Sequence, residues 1–501
     1  MEKKFKLLLE SYLQLTERKY RESIKEKRNG VFKLYHNKEL EFSKFIIDME
    51  SHLIFDELVK ETYKFKYGYY FKKKESKLDF SLNEMKRKII NYFKRSGCYY
   101  DIFTSREDVF SNYTLIKYLD ALTRKEKEQN YFAPMEYVGF AEHLMDFDQF
   151  RIQKVTADEL DNMLNNKINK IFFKRSYIKM EQLKELEDYW FICFTKKYPV
   201  QEYRGKYRIK IDQDFTHADI EFAQFPIEIL PIIKILSLFD WKADWLKNIN
   251  RDNNSIETSA IKFRIPFVLI TDDDLLELPK AAPDFTILKT ELVNMINNNG
   301  SIDVYEVPER NIILNKERTD NFITFIAYTN RLYSSLRIDE NGWHFLNLSL
   351  DFYLKGFFSN GLEQLLWNIT SIEALLGGKD GGYEKDRDGI SKQEGLTEKL
   401  SRRIGLILTK ERSHQKEIKE DFKDLYDYRC DLVHGNMFEN RALIKHILKT
   451  RDICRKIILN YIYYLYKIQC NLSDNEKVTR ESILFKIDIN LINDFPIMPY
   501  S

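Results

Sequence analysis

The sequence predicts a mostly α-helical protein with a mixed α/β middle region and a helical bundle at its C-terminal end. Three observations carry this. Glycine and proline, which helix interiors disfavour, number only 17 and 10 in 501 residues. No proline falls in residues 1–133, eight fall between Pro134 and Pro308, and Pro496 and Pro499 sit near the end. After Thr319 the apolar residues recur at helical spacing. The expected division is a helical N-terminal region (1–133), a mixed α/β region (134–315), a helical bundle (316–475) and a C-terminal tail (476–501).

In the N-terminal region, Glu39 to Phe55 and Ser81 to Phe93 are charged amphipathic stretches that read as helices. Tyr63-Lys64-Phe65-Lys66-Tyr67 alternates and reads as a strand. It leads into Tyr69-Tyr70-Phe71-Lys72-Lys73-Lys74, where aromatics next to cations fit either base stacking or a solvated hairpin. In the middle region, Lys206 to Ile211 alternates like a half-buried strand, and Phe263 to Ile270 reads as an edge strand because it contains Pro266. Thr271-Asp272-Asp273-Asp274 has two readings. Three carboxylates after a strand can hold Mg²⁺ in a nuclease; a Thr with an acid three residues on also opens a helix, and the helix start is preferred.

The bundle follows from apolar stripes over Trp343 to Phe357 and Leu362 to Leu376, the second ending at Gly377-Gly378. Lys379 to Gly395 is polar and reads as an exposed loop. Further helices are expected over Leu396 to Leu408, Glu417 to Val433 and Arg441 to Gln469. Four or five antiparallel helices result, with the loop between the second and third.

Composition narrows the function. Charged residues make up 32% and hydrophobic residues 44%, a globular profile for a chain too long for one core. The net charge is +2, so a nucleic acid would have to be held by a local patch. Five cysteines without CxxC spacing fit a reducing, cytoplasmic setting and give no disulfide framework and no zinc site. The first residues are charged, so no signal peptide is expected. The most apolar run, Phe225 to Trp241, is broken by Pro226, Glu228, Pro231 and Lys234, and no membrane span is expected. No Gly-rich phosphate loop occurs, and no cofactor is expected.

The most informative stretch is Leu425-Tyr426-Asp427-Tyr428-Arg429-Cys430-Asp431-Leu432-Val433-His434-Gly435. Arg429 and His434 stand five positions apart at a helix end marked by Gly435. On a continuous helix such positions point about 140° apart; a helix ending at the His relaxes this. Terminal carbonyls favour a protonated imidazole there. Arg441 with His446 has the same spacing inside a continuing helix, and His344 beside Trp343 suits a core or cap role. An Arg and a His suffice for metal-free cleavage of RNA, because the 2′-hydroxyl is the nucleophile. His434 would transfer a proton and Arg429 would neutralise the pentacoordinate phosphorus. One imidazole cannot easily serve both proton transfers, and a symmetric dimer would supply a second pair. The structural reading is a surface arginine and a helix-capping histidine.

Leu425, Tyr426, Arg429, Leu432, Val433, His434 and Gly435 together resemble the signature of HEPN-domain proteins, an Arg followed after four to six residues by a His. Ser371-Ile372-Glu373-Ala374-Leu375-Leu376, the loop, and Leu396 to Leu408 with Arg402 and Arg403 are similar to the Apea-like HEPN subgroup. The resemblance covers about residues 320–470. It implies an all-helical bundle dimerising through the motif helices. It also implies a metal-independent endoribonuclease acting on transfer or messenger RNA in bacterial anti-phage defence by abortive infection. Arg429 and His434 would be catalytic, with Glu373, Tyr428, Cys430 and Asp431 supporting and Glu373 orienting an arginine. Relatives often carry a polar residue after the motif Arg. Here it is Cys430, a weak donor, so either the orientation of Arg429 differs or it falls to Asp431. Residues 1–315 would sense a phage-derived trigger or restrain the nuclease. The rivals are a non-catalytic HEPN module for dimerisation or nucleic-acid binding, and a metal-dependent nuclease on Asp272 to Asp274.

Overall fold

The computed structural model describes residues 2–29, 45–46, 48–67, 75–104, 112–164, 172–173, 177–199, 225–241, 263–279, 290–296, 302–308, 312–359, 361–378, 383–385, 391–393, 395–434, 440–471, 478–489, 495 and 497–498. The expectations for Tyr69 to Lys74, Lys206 to Ile211 and Gly435, and residues 39–44 and 47 of the stretch expected over Glu39 to Phe55, lie outside these residues.

The chain opens with α1 (Glu2–Asn29), α2 (Leu53–Tyr67), α3 (Glu75–Arg95), α4 (Cys98–Thr104) and α5 (Asn112–Thr123). They share a core of their own, with Phe5, Leu9, Tyr12, Phe55, Phe93, Tyr99 and Tyr118 buried together. Tyr63 to Tyr67 is the last turn of α2, not a strand. Phe55, Leu58, Val59 and Thr62 are buried at helical spacing, and the turn continues that stripe. Lys64 and Lys66 lie where helix carbonyls favour cations.

A five-stranded antiparallel sheet follows, ordered β3-β4-β5-β1-β6. Its strands are β1 (Glu126–Met135), β3 (Leu144–Phe147), β4 (Phe150–Lys154), β5 (Trp190–Pro199) and β6 (Leu269–Asp272); β2 (Val138–Gly139) lies outside it and pairs with β9 (Ile312–Ile313). β1 thus runs across the expected boundary at 133/134. β6 pairs with β1 only over Gln129 to Phe132, so Pro134 lies beyond that partner and faces only β5. Side chains alternate between two cores. Tyr131, Ala133 and Met135 join the main core, whereas Phe132 turns to α6 (Ala157–Leu164) and α7 (Met180–Glu185) on the other face.

The strand expected over Phe263 to Ile270 is shorter and later. Arg264 makes an isolated bridge to Glu136, and β6 begins at Leu269, at the sheet edge. Pro266 lacks the donor that a longer ladder needs. No helix starts at Thr271, which corrects the preferred reading of that stretch. The chain turns, and each carboxylate meets donors. Asp272 Oδ1 accepts from Arg95 at 2.8 Å and from the Asp274 amide at 3.1 Å. Asp273 accepts from the Glu128 amide and pairs with Arg124, both at 2.8 Å. Asp274 accepts from the Leu276 amide at 3.1 Å. Leu275 and Leu276 pack into the N-terminal helical core.

The apolar run before residue 242 contains α8 (Leu230–Ser237), a buried helix. Among the described residues no helix is long and apolar enough to cross a membrane. A hairpin of β7 (Thr290–Ile296) and β8 (Ile302–Pro308) precedes the bundle.

The bundle comprises α9 (Lys316–Ser335), α10 (Ile338–Asn341), α11 (His344–Phe358), α12 (Gly361–Leu376), α13 (Leu396–Leu408), α14 (Arg412–Val433), α15 (Asn440–Asn471) and α16 (Arg480–Asp488). The expected loop after α12 carries a hairpin of β10 (Tyr383–Lys385) and β11 (Ser391–Gln393). Bundle and sheet share one core. The Phe322 ring of α9 lies 4.9 Å from Phe140 and 5.6 Å from Trp241, so the expected division at 315/316 runs through packed side chains. Nor are residues 476–501 simply a tail: α16 buries Ile483, Leu484 and Ile487 against the bundle.

Candidate functional site

α14 carries the Arg429 and His434 pair. It is anchored by Phe422, Leu425 and Tyr426, which are buried, while Asp424, Asp427 and Asp431 are exposed. The helix ends at Val433. His434 is its C-cap, with φ −87° and ψ 0°, and its amide still donates to the Cys430 carbonyl at 3.0 Å. The backbone therefore stays close to helical through His434, contrary to the expected release. Arg429 and His434 keep directions roughly 140° apart. His434 is exposed. Gly435 lies outside the described residues.

Arg429 is partly buried, with its guanidinium carbon 5.6 Å from the ring centroid of Tyr426. It leans one turn back along the helix, away from His434, as helical side chains do. No carboxylate or carbonyl of the described residues takes its N–H groups. Tyr426 in turn donates its hydroxyl to Glu373 Oε1 of α12 at 2.8 Å. Burial, then the hydrogen bond and charge of Glu373, push the tyrosine pKa up, so the hydroxyl stays protonated and donates.

Glu373 stands on the last turn of α12, whose terminal carbonyls need donors. Two arginines supply them. Arg480 of α16 donates to the Glu373 carbonyl at 2.9 Å and to the Leu375 carbonyl at 3.2 Å. Arg403 of α13 donates to the Leu376 carbonyl. Arg403 and Arg402 converge on Asp488 of α16.

The expected supporting residues separate. Glu373 reaches Arg429 through Tyr426. Cys430 is partly buried and packs against the main core, and Asp431 is exposed. Tyr428 faces α15, where its ring centroid lies 4.6 Å from that of His446. Burial, then Lys445, lower the His446 pKa, with Asp424 opposing. His344 is exposed and lies 3.6 Å from Asp339, so it has no core role. The sequence marks Tyr426 as part of the motif but gives it no role. Its i, i+3 relation to Arg429 was the available signal, since such positions share a helix face.

Among the described residues no group of His, Cys, Asp and Glu is placed to hold a metal ion. No protein-family model, no curated protein and no solved structure matches this chain.

Proposed function

We propose that the chain is a metal-independent endoribonuclease. The 2′-oxygen of a ribose attacks the adjacent phosphorus, the bond to the 5′-oxygen breaks, and a 2′,3′-cyclic phosphate and a 5′-hydroxyl result. His434 exchanges the proton with the attacking or the leaving oxygen. Arg429 binds the non-bridging oxygens as negative charge builds on them. The observation that carries this reading is Arg429 itself. It is a partly buried cation with no carboxylate partner among the described residues, held by a ring that leaves its N–H fork available.

Within one chain Arg429 and His434 point apart. The reading therefore requires two copies, each giving its arginine to the other's histidine or completing a shared site across a twofold axis. The resemblance of residues 320–470 to HEPN domains supports that arrangement, and with it a cytoplasmic role in bacterial anti-phage defence on transfer or messenger RNA. Residues 1–315 would sense a phage-derived trigger or restrain cleavage. Cleavage in EDTA that disappears in both Arg429→Ala and His434→Ala, at unchanged melting temperature, tests the chemistry.

A second reading has its own observation. Asp424, Asp427 and Asp431 are exposed on the motif helix, and Val433 is 54% exposed. Carboxylates repel a phosphate backbone, and an exposed valine suits a protein partner. This favours a non-catalytic dimerisation module, for which His434→Ala would change association and not RNA. The metal-dependent alternative loses ground because Asp272, Asp273 and Asp274 already engage Arg95, Arg124 and backbone amides.

A further inference from the structure

Arg429 could have been fixed by a carboxylate, which would have consumed its donors. Instead it rests on the face of Tyr426, and the carboxylate, Glu373, takes the tyrosine hydroxyl. We propose that Tyr426 is a positioning residue for Arg429, and that α16 is the strap that keeps Tyr426 in place. This rests on the ribonuclease reading only for its effect on rate.

A cation above a ring is held through the ring quadrupole, which uses none of its N–H groups. A ring tethered at its hydroxyl has a fixed plane, and hydrogen bonding to an anion makes that ring a better partner for a cation. The tether is only as firm as the end of α12. That end is held by Arg480 on the Glu373 and Leu375 carbonyls and by Arg403 on the Leu376 carbonyl, with Arg403 gripped by Asp488. A continuous path of contacts therefore runs from Asp488 through Arg403, the α12 terminus, Glu373 and Tyr426 to Arg429. It gives α16 a purpose beyond covering the core: the guanidinium is pre-aimed while its five donors stay available for an anionic phosphate ligand.

The test uses the full chain and two readouts. The first is the side-chain NMR signal of Arg429, assigned by its loss in Arg429→Lys. In the wild type it should carry a ring-current shift, which should collapse in Tyr426→Leu and shrink in Glu373→Gln and Asp488→Asn. Tyr426→Phe keeps the ring and serves if the leucine variant does not fold. The second is RNA cleavage. Tyr426→Phe should lower kcat about tenfold with KM within about twofold, and Tyr426→Leu should add no further loss to Arg429→Ala. An Arg429 signal identical in all variants overturns the positioning role whether or not RNA is cut. A signal that shifts as expected, beside an Arg429→Ala variant that cuts RNA at the wild-type rate, supports positioning and overturns the ribonuclease reading.

Discussion

Arg403 grips Asp488 with two arms: its Nε lies 2.8 Å from Oδ1, and its Nη2 donates to Oδ2. Arg403 is 2% exposed, so this bidentate pair is where α16 locks onto the bundle. Asp488→Ala leaves a buried guanidinium without its carboxylate. It should lower unfolding stability by about 3 kcal/mol, read from urea denaturation. A loss below about 0.5 kcal/mol, the level of an exposed pair, would show that the lock is decorative.

Acid should release the same lock. Burial works against ionisation of Asp488, but the hydrogen bonds and charges of Arg403 and Arg402 outweigh it and the pKa is lowered. Asp452 is lowered likewise, with burial opposed by Arg455 and Lys456. A depressed carboxyl pKa adds stability that is complete above the unfolded value of about 4 and is lost as pH falls through the folded value. His446, also lowered, adds stability that begins to fall below about pH 6.5. Stability measured against pH should therefore show a shallow decline that sets in below about pH 6.5 and is absent in His446→Gln, and a steep one below about pH 4. A steep step that persists unchanged in Asp488→Asn would refute the assignment.

Arg95 is the most connected of several contacts that dock the N-terminal helices, beside Asn91 on the Leu276 carbonyl, Lys88 with Glu277 and the packing of Leu276. Arg95 donates to Asp272 Oδ1 and to the carbonyls of Asp272, Asp274 and Glu277. Arg95→Ala should weaken docking by about 2–4 kcal/mol. Hydrogen exchange should rise at the β6 turn while α13 and α14 keep their protection. If residues 1–315 restrain the nuclease through this joint, RNA cleavage should increase in the same variant; unchanged cleavage beside clear undocking argues against restraint.

Gly405 sets how closely α13 and α14 approach. A methyl group there would lie 2.9 Å from the Gln415 carbonyl oxygen, which is backbone and cannot swing aside. Gly405→Ala should cost about 1–3 kcal/mol, seen as a lower melting temperature. A neutral or stabilising alanine would mean that α14 shifts freely.

Regular helices were the most legible part of the chain. The helix expected over Leu396 to Leu408 has those bounds, and Leu400, Ile404 and Ile407 are buried at helical spacing while Leu396 is exposed. The turn of Tyr63 to Tyr67 misled because five residues alternate equally well in a strand or along the edge of a helix stripe. The acidic turn after β6 misled because its carboxylates answer Arg95 and Arg124, distant in sequence. α16 went unseen because its role depends on Arg403 and the end of α12. In the site, Arg429 and His434 stood out by spacing, whereas Tyr426 acquires its role only when α12 brings Glu373 to its hydroxyl.

The most direct measurement is the chemistry of RNA ends after incubation with the full chain in EDTA, beside Arg429→Ala and His434→Ala. The expected result is 2′,3′-cyclic phosphate ends made by the wild type and by neither variant, with all three equally folded. Ends made equally by His434→Ala, or cleavage abolished by EDTA, would contradict it.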